Sequence, residues 1–513
     1  MKCQIIFDKI IKFLSVFIFV WIFILLMFFT KNMNYSYKRE FIIPNVVIVI
    51  ISLVLMIFRQ KIVKFRFKNL NYDKIVKRLC IIFFILQLYI FYHTYFETGW
   101  DPNGLMTNAR LIAKHGSKNV VSIRFLKYFS KYPNNLLYTL IAGMILKINS
   151  YIGLYSNSYD LMSIVFVNSI ISSISSYLVY KIGNQLFNKK IAFLGFLICS
   201  CLCTFSPWNI ICYSDSFCLF VPILILYLYI NKKLKWYIKY ILITVIGCIF
   251  LPVKPHTFMI VISIYLIEFI KFITKFNLLK LRKAITIVLI SGSILLGFNY
   301  SINKVYLRYG FKLNKNLKFS YSHFLMMGSN NDNNGGYNGY DVKYSEEQPN
   351  KKIRTKNNIN EFKRRIYSRK FKGNVEFMSK KILTAYHDGS FAWNKEGNFI
   401  YKSKPVTTKI SIPLRNIYYG KYSKYYSTLL QFIWINILLT IFINSIIVII
   451  KKEKINYVYL ILIMSFIGLF IFELLFEVRA RYLYTSVPIY IVLMMYGLNN
   501  INNFKFKNKN IQE

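Results

Sequence analysis

Apolar runs with short polar breaks make up most of this chain. Stretches near 13–30, 41–58, 79–96, 162–183, 191–205, 216–230, 237–252, 258–272, 285–303, 427–450, 456–474 and 483–498 are rich in Ile, Leu, Phe and Val. A helix needs about 17–25 apolar residues to cross hydrocarbon. The pattern predicts an all-α polytopic membrane protein of about twelve transmembrane helices. The first run, "IIKFLSVFIFVWIFILLMFFT", is too long for a signal-peptide core and lacks a small-residue cleavage pattern after it, so it reads as a retained helix.

Charge orients these spans. Lys and Arg crowd the breaks at 59–78, 231–239, 271–283 and 451–454, together with Lys2, Lys9, Lys12 and the tail "FKFKNKN". Cytoplasmic loops carry such charges, so both termini and all these breaks are expected inside. The parity holds only if the moderately apolar "NNLLYTLIAGMILKI" (134–148) does not cross and lies at the outer surface as a juxtamembrane helix or re-entrant segment. The net charge of +47 then has a topological origin, and nucleic acid is not an expected partner. The 8 cysteines lie in or beside apolar runs without a metal-ligand or disulfide pattern, and read as packing residues.

This topology divides the chain into three parts. Residues 1–303 form a transmembrane module with a first outer loop at 97–133. Residues 304–426 form one large extracytoplasmic loop, too long for a simple connector. Residues 427–513 supply the last helices and a basic cytoplasmic tail. The expected location is a bacterial cytoplasmic membrane, and membrane lipid is an expected partner.

Acids are scarce, so their placement carries information. "FETGWDPNGL" (96–105) puts Glu97 and Asp101 where an apolar run stops. Pro102 keeps Asp101 from continuing that helix, which leaves the acid at a turn beside Trp100. One reading is a solvated helix-ending turn. The other is a general base, because the same outer side holds Asp215 in "CYSDSF", Lys254 and His256 in "VKPHTF", and Glu477, Arg479, Arg481 and Tyr482 in "FEVRARYLY". Ionisable groups at membrane depth mark polar cavities and functional paths. A carboxylate can take a proton from an attacking hydroxyl. Arg presents a planar fork to phosphate and Lys a point charge, and both stabilise charge on a leaving phosphate.

In the large loop, "YSHFLMMGSNNDNNGGYNGYD" (321–341) is a turn series. "EFKRRIYSRKFKGNVEFMSKKILTAY" (361–386) is loosely amphipathic, suited either to lying on lipid or to packing on the loop. "HDGSFAWNKEGNF" (387–399) is compact and aromatic. The local positive charge suits an anionic acceptor or headgroup.

The order of "GWDPNGL", "YFSKYPNNLLYTL", "YLVYKIGNQLFNKKIAFLGFL" and "SPWNIICYSDSFCLFVPILILYLY" resembles the GT-C class of membrane glycosyltransferases. It is similar to the protein mannosyltransferase and aminoarabinose transferase branch (glycosyltransferase family 39-like). "MMGSNNDNNGGYNGYD" and "HDGSFAWNKEGNF" resemble uncharacterised integral membrane proteins of Gram-positive bacteria. The resemblance implies a GT-C-like bundle and an external active site, with Asp101 as the essential acid and a polyprenyl-phosphate-linked sugar as donor. It places Arg479, Arg481 and Tyr482 near the donor phosphate, and the cationic chemistry of the residues adds Lys254 to the phosphate-binding set. Glu97, Asp215, His256, Glu477 and Tyr482 then orient acceptor or sugar. The chain departs from the class in lacking a Pro-Pro pair and a clear second acid, and a divalent metal is left open. The expected acceptor is a cell-envelope glycan, teichoic acid or protein. A flippase or transporter of lipid-linked saccharides is the alternative. It would place polar or interrupted helices at mid-membrane in repeated halves, whereas the mid-helix positions here are mostly Ile, Leu and Phe.

Overall fold

The computed structural model describes residues 2–28, 45–62, 70–116, 123–151, 160–274, 277–397, 399–403, 408–451 and 456–503. Residues 63–69 of the basic loop at 59–78, residues 452–454 and the tail "FKFKNKN" lie outside the described residues.

Helices dominate, and Asn starts many of them. The side chains of Asn71, Asn188, Asn277, Asn338, Asn350 and Asn456 each accept a hydrogen bond from a backbone N–H of the first turn. An Asn side chain satisfies one of the four orphan N–H groups there. The asparagines of this chain therefore punctuate its apolar runs.

Each of the twelve predicted spans appears as a helix. Among the described residues, 7 helices are long and apolar enough to cross a membrane: Ile6–Phe28, Tyr72–Thr94, Met162–Leu186, Pro255–Thr274, Leu278–Arg308, Ser423–Ile450 and Tyr457–Leu475. The remaining five are shorter. Lys189–Cys199 gives way to a π-helical turn at Ser200–Thr204, and Val221–Ile230 has 10 residues. Ten residues rise only about 15 Å, half the hydrocarbon thickness. The 134–148 segment forms the helix Asn134–Tyr151, packed under Asp101–His115, and is not among the helices apolar enough to cross.

Val487–Asn503 forms the buried centre, with Ile491, Val492, Leu493 and Met495 fully enclosed. It meets Ser423–Ile450, Met162–Leu186 and Lys189–Cys199. A Cβ on Gly183 would come within 2.9 Å of both Ala192 Cα and Met495 Sδ, so the close helix approach requires glycine. Mid-helix positions are more polar than the sequence reading allowed. Gln87 donates to Ser173 Oγ at 2.7 Å and to the Ser169 carbonyl at 3.0 Å, and Ser176 meets Thr204 at 2.9 Å. These contacts join neighbouring helices side to side. Leu278–Arg308 is the opposite case: none of its most apolar window is buried.

The 304–426 segment is folded and largely helical. Lys351–Tyr386 breaks at Lys370, where φ is 54°. Arg365 on its basic face pairs with Asp341 at 2.7 Å, so this face packs on the loop, while Tyr367 and Phe371 stay exposed. After Tyr386 the chain enters the bundle. Phe391 and Ala392 adopt φ of 54° and 62°, a left-handed conformation that costs about 1–3 kcal/mol per residue. Asp388 holds the turn by accepting from Ser390 N at 2.8 Å, Ser390 Oγ at 2.9 Å and Ala392 N at 2.9 Å. Strand Phe96–Thr98 pairs antiparallel with Ile400–Ser403, which ties the start of the 97–133 stretch to this segment.

Candidate functional site

Asp101 is the first residue of the helix Asp101–His115, with Pro102 next to it. The proline read as a stop is thus also a start. Its missing N–H costs nothing in a first turn, and its fixed φ suits helix entry. Asp101 is exposed and sits at the positive end of the helix dipole. The Tyr213 hydroxyl donates to Asp101 Oδ2 at 3.3 Å.

Tyr213 connects this acid to the cations. Its ring lies 4.9 Å from that of Trp100 in an edge contact. The Arg481 guanidinium lies 4.2 Å from the Trp100 ring and 5.5 Å from that of Tyr213. Lys254 Nζ lies 5.5 Å from the Tyr213 ring and 4.9 Å from the Tyr482 ring. Buried cation–aromatic contacts of this kind are worth about 2 kcal/mol when desolvated.

Each cation also has a carboxylate. Lys254 Nζ is 2.5 Å from Asp215 Oδ1, and both side chains are buried. Arg479 reaches Glu396 at 2.9 Å and Glu477 at 3.1 Å, while Arg481 Nε is 3.4 Å from Glu396 Oε2. The Arg481–Glu396 approach suffices for an ion pair but lacks hydrogen-bond alignment, so the buried Arg481 Nε has no hydrogen-bond acceptor. The sequestered Trp100 indole N–H has none either. Burial alone would raise the Glu396 carboxyl, but Arg479 and Arg481 outweigh it and hold it below the ordinary value. Burial opposes the charge on Arg481, and Glu396 with Asp215 more than restores it.

The structure therefore brings Asp101, Asp215, Lys254, Glu477, Arg479, Arg481 and Tyr482 to one corner of the bundle. His256 joins them, 5.5 Å ring to ring from Tyr482, with Nε2 3.0 Å from Thr485 Oγ1. Glu97 does not belong to this group. It accepts from Arg110 at 3.0 Å, and Arg110 also binds Asp160 at 2.5 Å, in a buried cluster of its own. That separation follows from the strand at 96–98, which turns Glu97 away from the start of the helix.

Glu396 was missed. It lies 83 positions from Arg479, and its stretch announced an aromatic turn and no counter-charge. Tyr213 was missed too, since a tyrosine among 41 carries no signal until its neighbours are known. Lys381 is a third. It is fully buried, donates to the Gly328 and Phe476 carbonyls at 2.6 and 2.7 Å, and fastens the 328–335 turn beside Glu477. Burial pushes its ammonium down to about 7.

A cavity of about 1030 Å³ adjoins the corner. Lys254, His256, Glu477, Tyr482 and Tyr213 line its polar end, and Leu295, Phe298, Ile302 and Tyr306 of Leu278–Arg308 supply an apolar wall. Asp101, Asp215, Arg479 and Arg481 are not part of this lining, although contacts through Tyr213, Lys254 and Tyr482 connect them to it. Among the described residues no three His, Cys, Asp or Glu side chains converge as ligands for a metal ion.

A family model described as a conserved hypothetical integral membrane protein matches residues 3–501. No curated protein and no solved structure matches the chain. The match covers nearly the whole sequence, and the chain belongs to that family.

Proposed function

We propose that this member of the conserved hypothetical integral membrane proteins is a GT-C-like glycosyltransferase. It would move one sugar from a polyprenyl-phosphate donor to a hydroxyl acceptor on the outer face of the cytoplasmic membrane. The observation that carries the reading is the pair of sequestered donors without acceptors, Trp100 Nε1 and Arg481 Nε, beside Asp101 and an apolar-walled cavity. Buried donors are nearly always hydrogen-bonded, so these two await an oxygen ligand.

In this reading the carrier's hydrocarbon lies along Leu278–Arg308, and its phosphate meets Lys254 and Arg481, with Arg479 behind. Asp101 accepts the proton of the acceptor hydroxyl. The acceptor oxygen bonds to the anomeric carbon as the carbon–oxygen bond to phosphate breaks, and the electron pair leaves on polyprenyl phosphate. Fixed cations stabilise that growing charge without reorganisation. Lys254 has three donors, so it can meet the phosphate without abandoning Asp215. Asp215, Glu477, His256 and Tyr482 shape the sugar end. Glu97 has no direct part. Twelve crossings with both termini inside complete the reading, and no step runs through a metal.

The test is reconstitution in liposomes with a polyprenyl-phosphate hexose and an envelope extract as acceptor. Wild type should form glycosylated acceptor and free polyprenyl phosphate, and Asp101→Asn neither. Transfer left intact by Arg479→Ala and by Arg481→Ala would overturn the phosphate assignment. Lipid-linked sugar moved across the bilayer without cleavage would favour the flippase.

A further inference from the structure

The far end of the cavity is charged differently from the corner. Lys315, Lys318 and Lys351 line its opening, and Lys351, Lys352 and Lys356 line an adjoining concavity of about 640 Å³. All five are exposed, and none has an ion-pair partner among the described residues. The nearby acids are engaged elsewhere, Glu346 with Lys131 at 2.5 Å and Glu347 with Lys343 at 3.8 Å.

The arrangement is held from beneath. Arg354 is buried and donates through Nη1 to the carbonyls of Asn316 at 2.8 Å and Lys318 at 3.3 Å, and through Nε to that of Ser345 at 2.8 Å. It thereby clamps the 315–318 segment against the first turn of Lys351–Tyr386. Two lysine-bearing segments some 35 positions apart are thus held side by side despite their mutual repulsion. Like charges gathered this way are relieved by an anion with several charges. The rim lies beyond Arg308, the end of the lipid-facing helix. This placement favours a chain arriving from the aqueous side over a headgroup in the bilayer.

We propose that this lysine rim binds a polyanionic acceptor, a linear chain carrying repeated phosphodiesters, and leads its terminal hydroxyl through the cavity toward Asp101. The inference rests on the transferase reading and adds the class of acceptor.

The experiment is calorimetric titration of the full chain in zwitterionic nanodiscs with a short poly(glycerol phosphate) oligomer and, separately, a neutral dextran oligomer. The phosphate oligomer should bind, more weakly as salt rises, and the dextran should not. Replacing Lys315, Lys318, Lys351 and Lys352 with Gln, all exposed and unbonded to the core, should weaken binding on the order of tenfold or more. Equal binding of dextran, or unchanged binding in the quadruple variant, would overturn the inference. So would loss of oligomer binding in nanodiscs of anionic lipid, which would assign the rim to headgroups. Asp101→Asn should bind like wild type. Oligomer binding by a wild-type protein that performs no transfer sinks the transferase reading alone, and wild-type transfer without oligomer binding sinks this inference alone.

Discussion

Glu97 and Asp101 are four positions apart in one loop and meet opposite fates. Glu97 is buried on a short strand, where Arg110 and Asp160 complete a closed ionic cluster. Asp101 begins a helix in the open, with a tyrosine hydroxyl for a partner and no cation within ion-pair distance among the described residues. A carboxylate clamped by a guanidinium has little capacity to take a proton, whereas one left beside water and a phenol keeps it. The two acids show how one loop separates architecture from chemistry.

The sharpest way to break this comparison is to remove one side chain from each half. Arg110→Ala leaves two buried carboxylates without a counter-charge and should cost about 3–5 kcal/mol of stability, read as thermal unfolding in detergent. Asp101→Asn should leave stability within about 0.5 kcal/mol of wild type, yet lower transfer by about 100-fold to 10,000-fold. Similar destabilisation by both would erase the distinction.

Arg481→Lys keeps the charge but loses the planar stack on Trp100 and the fork toward phosphate. Transfer should fall about 10-fold to 100-fold, while Arg481→Ala should do worse. Equal activity of the Lys variant would mean that only charge matters at the corner.

Glu396 sharpens the contrast through pH. Its folded-state carboxyl is held below the ordinary value of 4.5 by Arg479 and Arg481, against burial. A depressed carboxyl contributes stability that is fully present above its unfolded value and lost as pH falls through the folded one. Wild type should therefore lose stability on acidification below about 4.5, and Glu396→Gln should lack that share of the decline. Identical acid profiles would show that Glu396 is not the counter-ion of these arginines. Tyr213→Phe is the mildest change. It removes the donor to Asp101 and should lower transfer about fivefold, near 1 kcal/mol.

Much of the frame was legible because hydrocarbon imposes one strong rule on sequence. All twelve apolar runs became helices, while the non-crossing expectation for 134–148 rested on the parity of the basic breaks. Length was less legible: Ser200–Thr204 and the breaks around Val221–Ile230 interrupt apolar runs that hydropathy reads as continuous. At the corner, Arg479 and Arg481 could be found because the expected topology gave two cations at that end of an apolar helix no role in orientation. Their partner Glu396 could not, since the pairing depends on a long segment folding back into the bundle. Arg110 was hidden for the same reason, its two acids lying on either side of it in sequence with nothing to mark them. Pro102 misled by its chemistry, which stops one helix and starts another equally well.

The most direct test of the central claim is mass spectrometry of polyprenyl-phosphate sugars and envelope glycans in three strains: wild type, a deletion, and the deletion complemented with Asp101→Asn at matched protein level. The account predicts that the Asp101→Asn strain matches the deletion, with donor accumulating and one sugar missing outside. A wild-type profile restored by Asp101→Asn would contradict it.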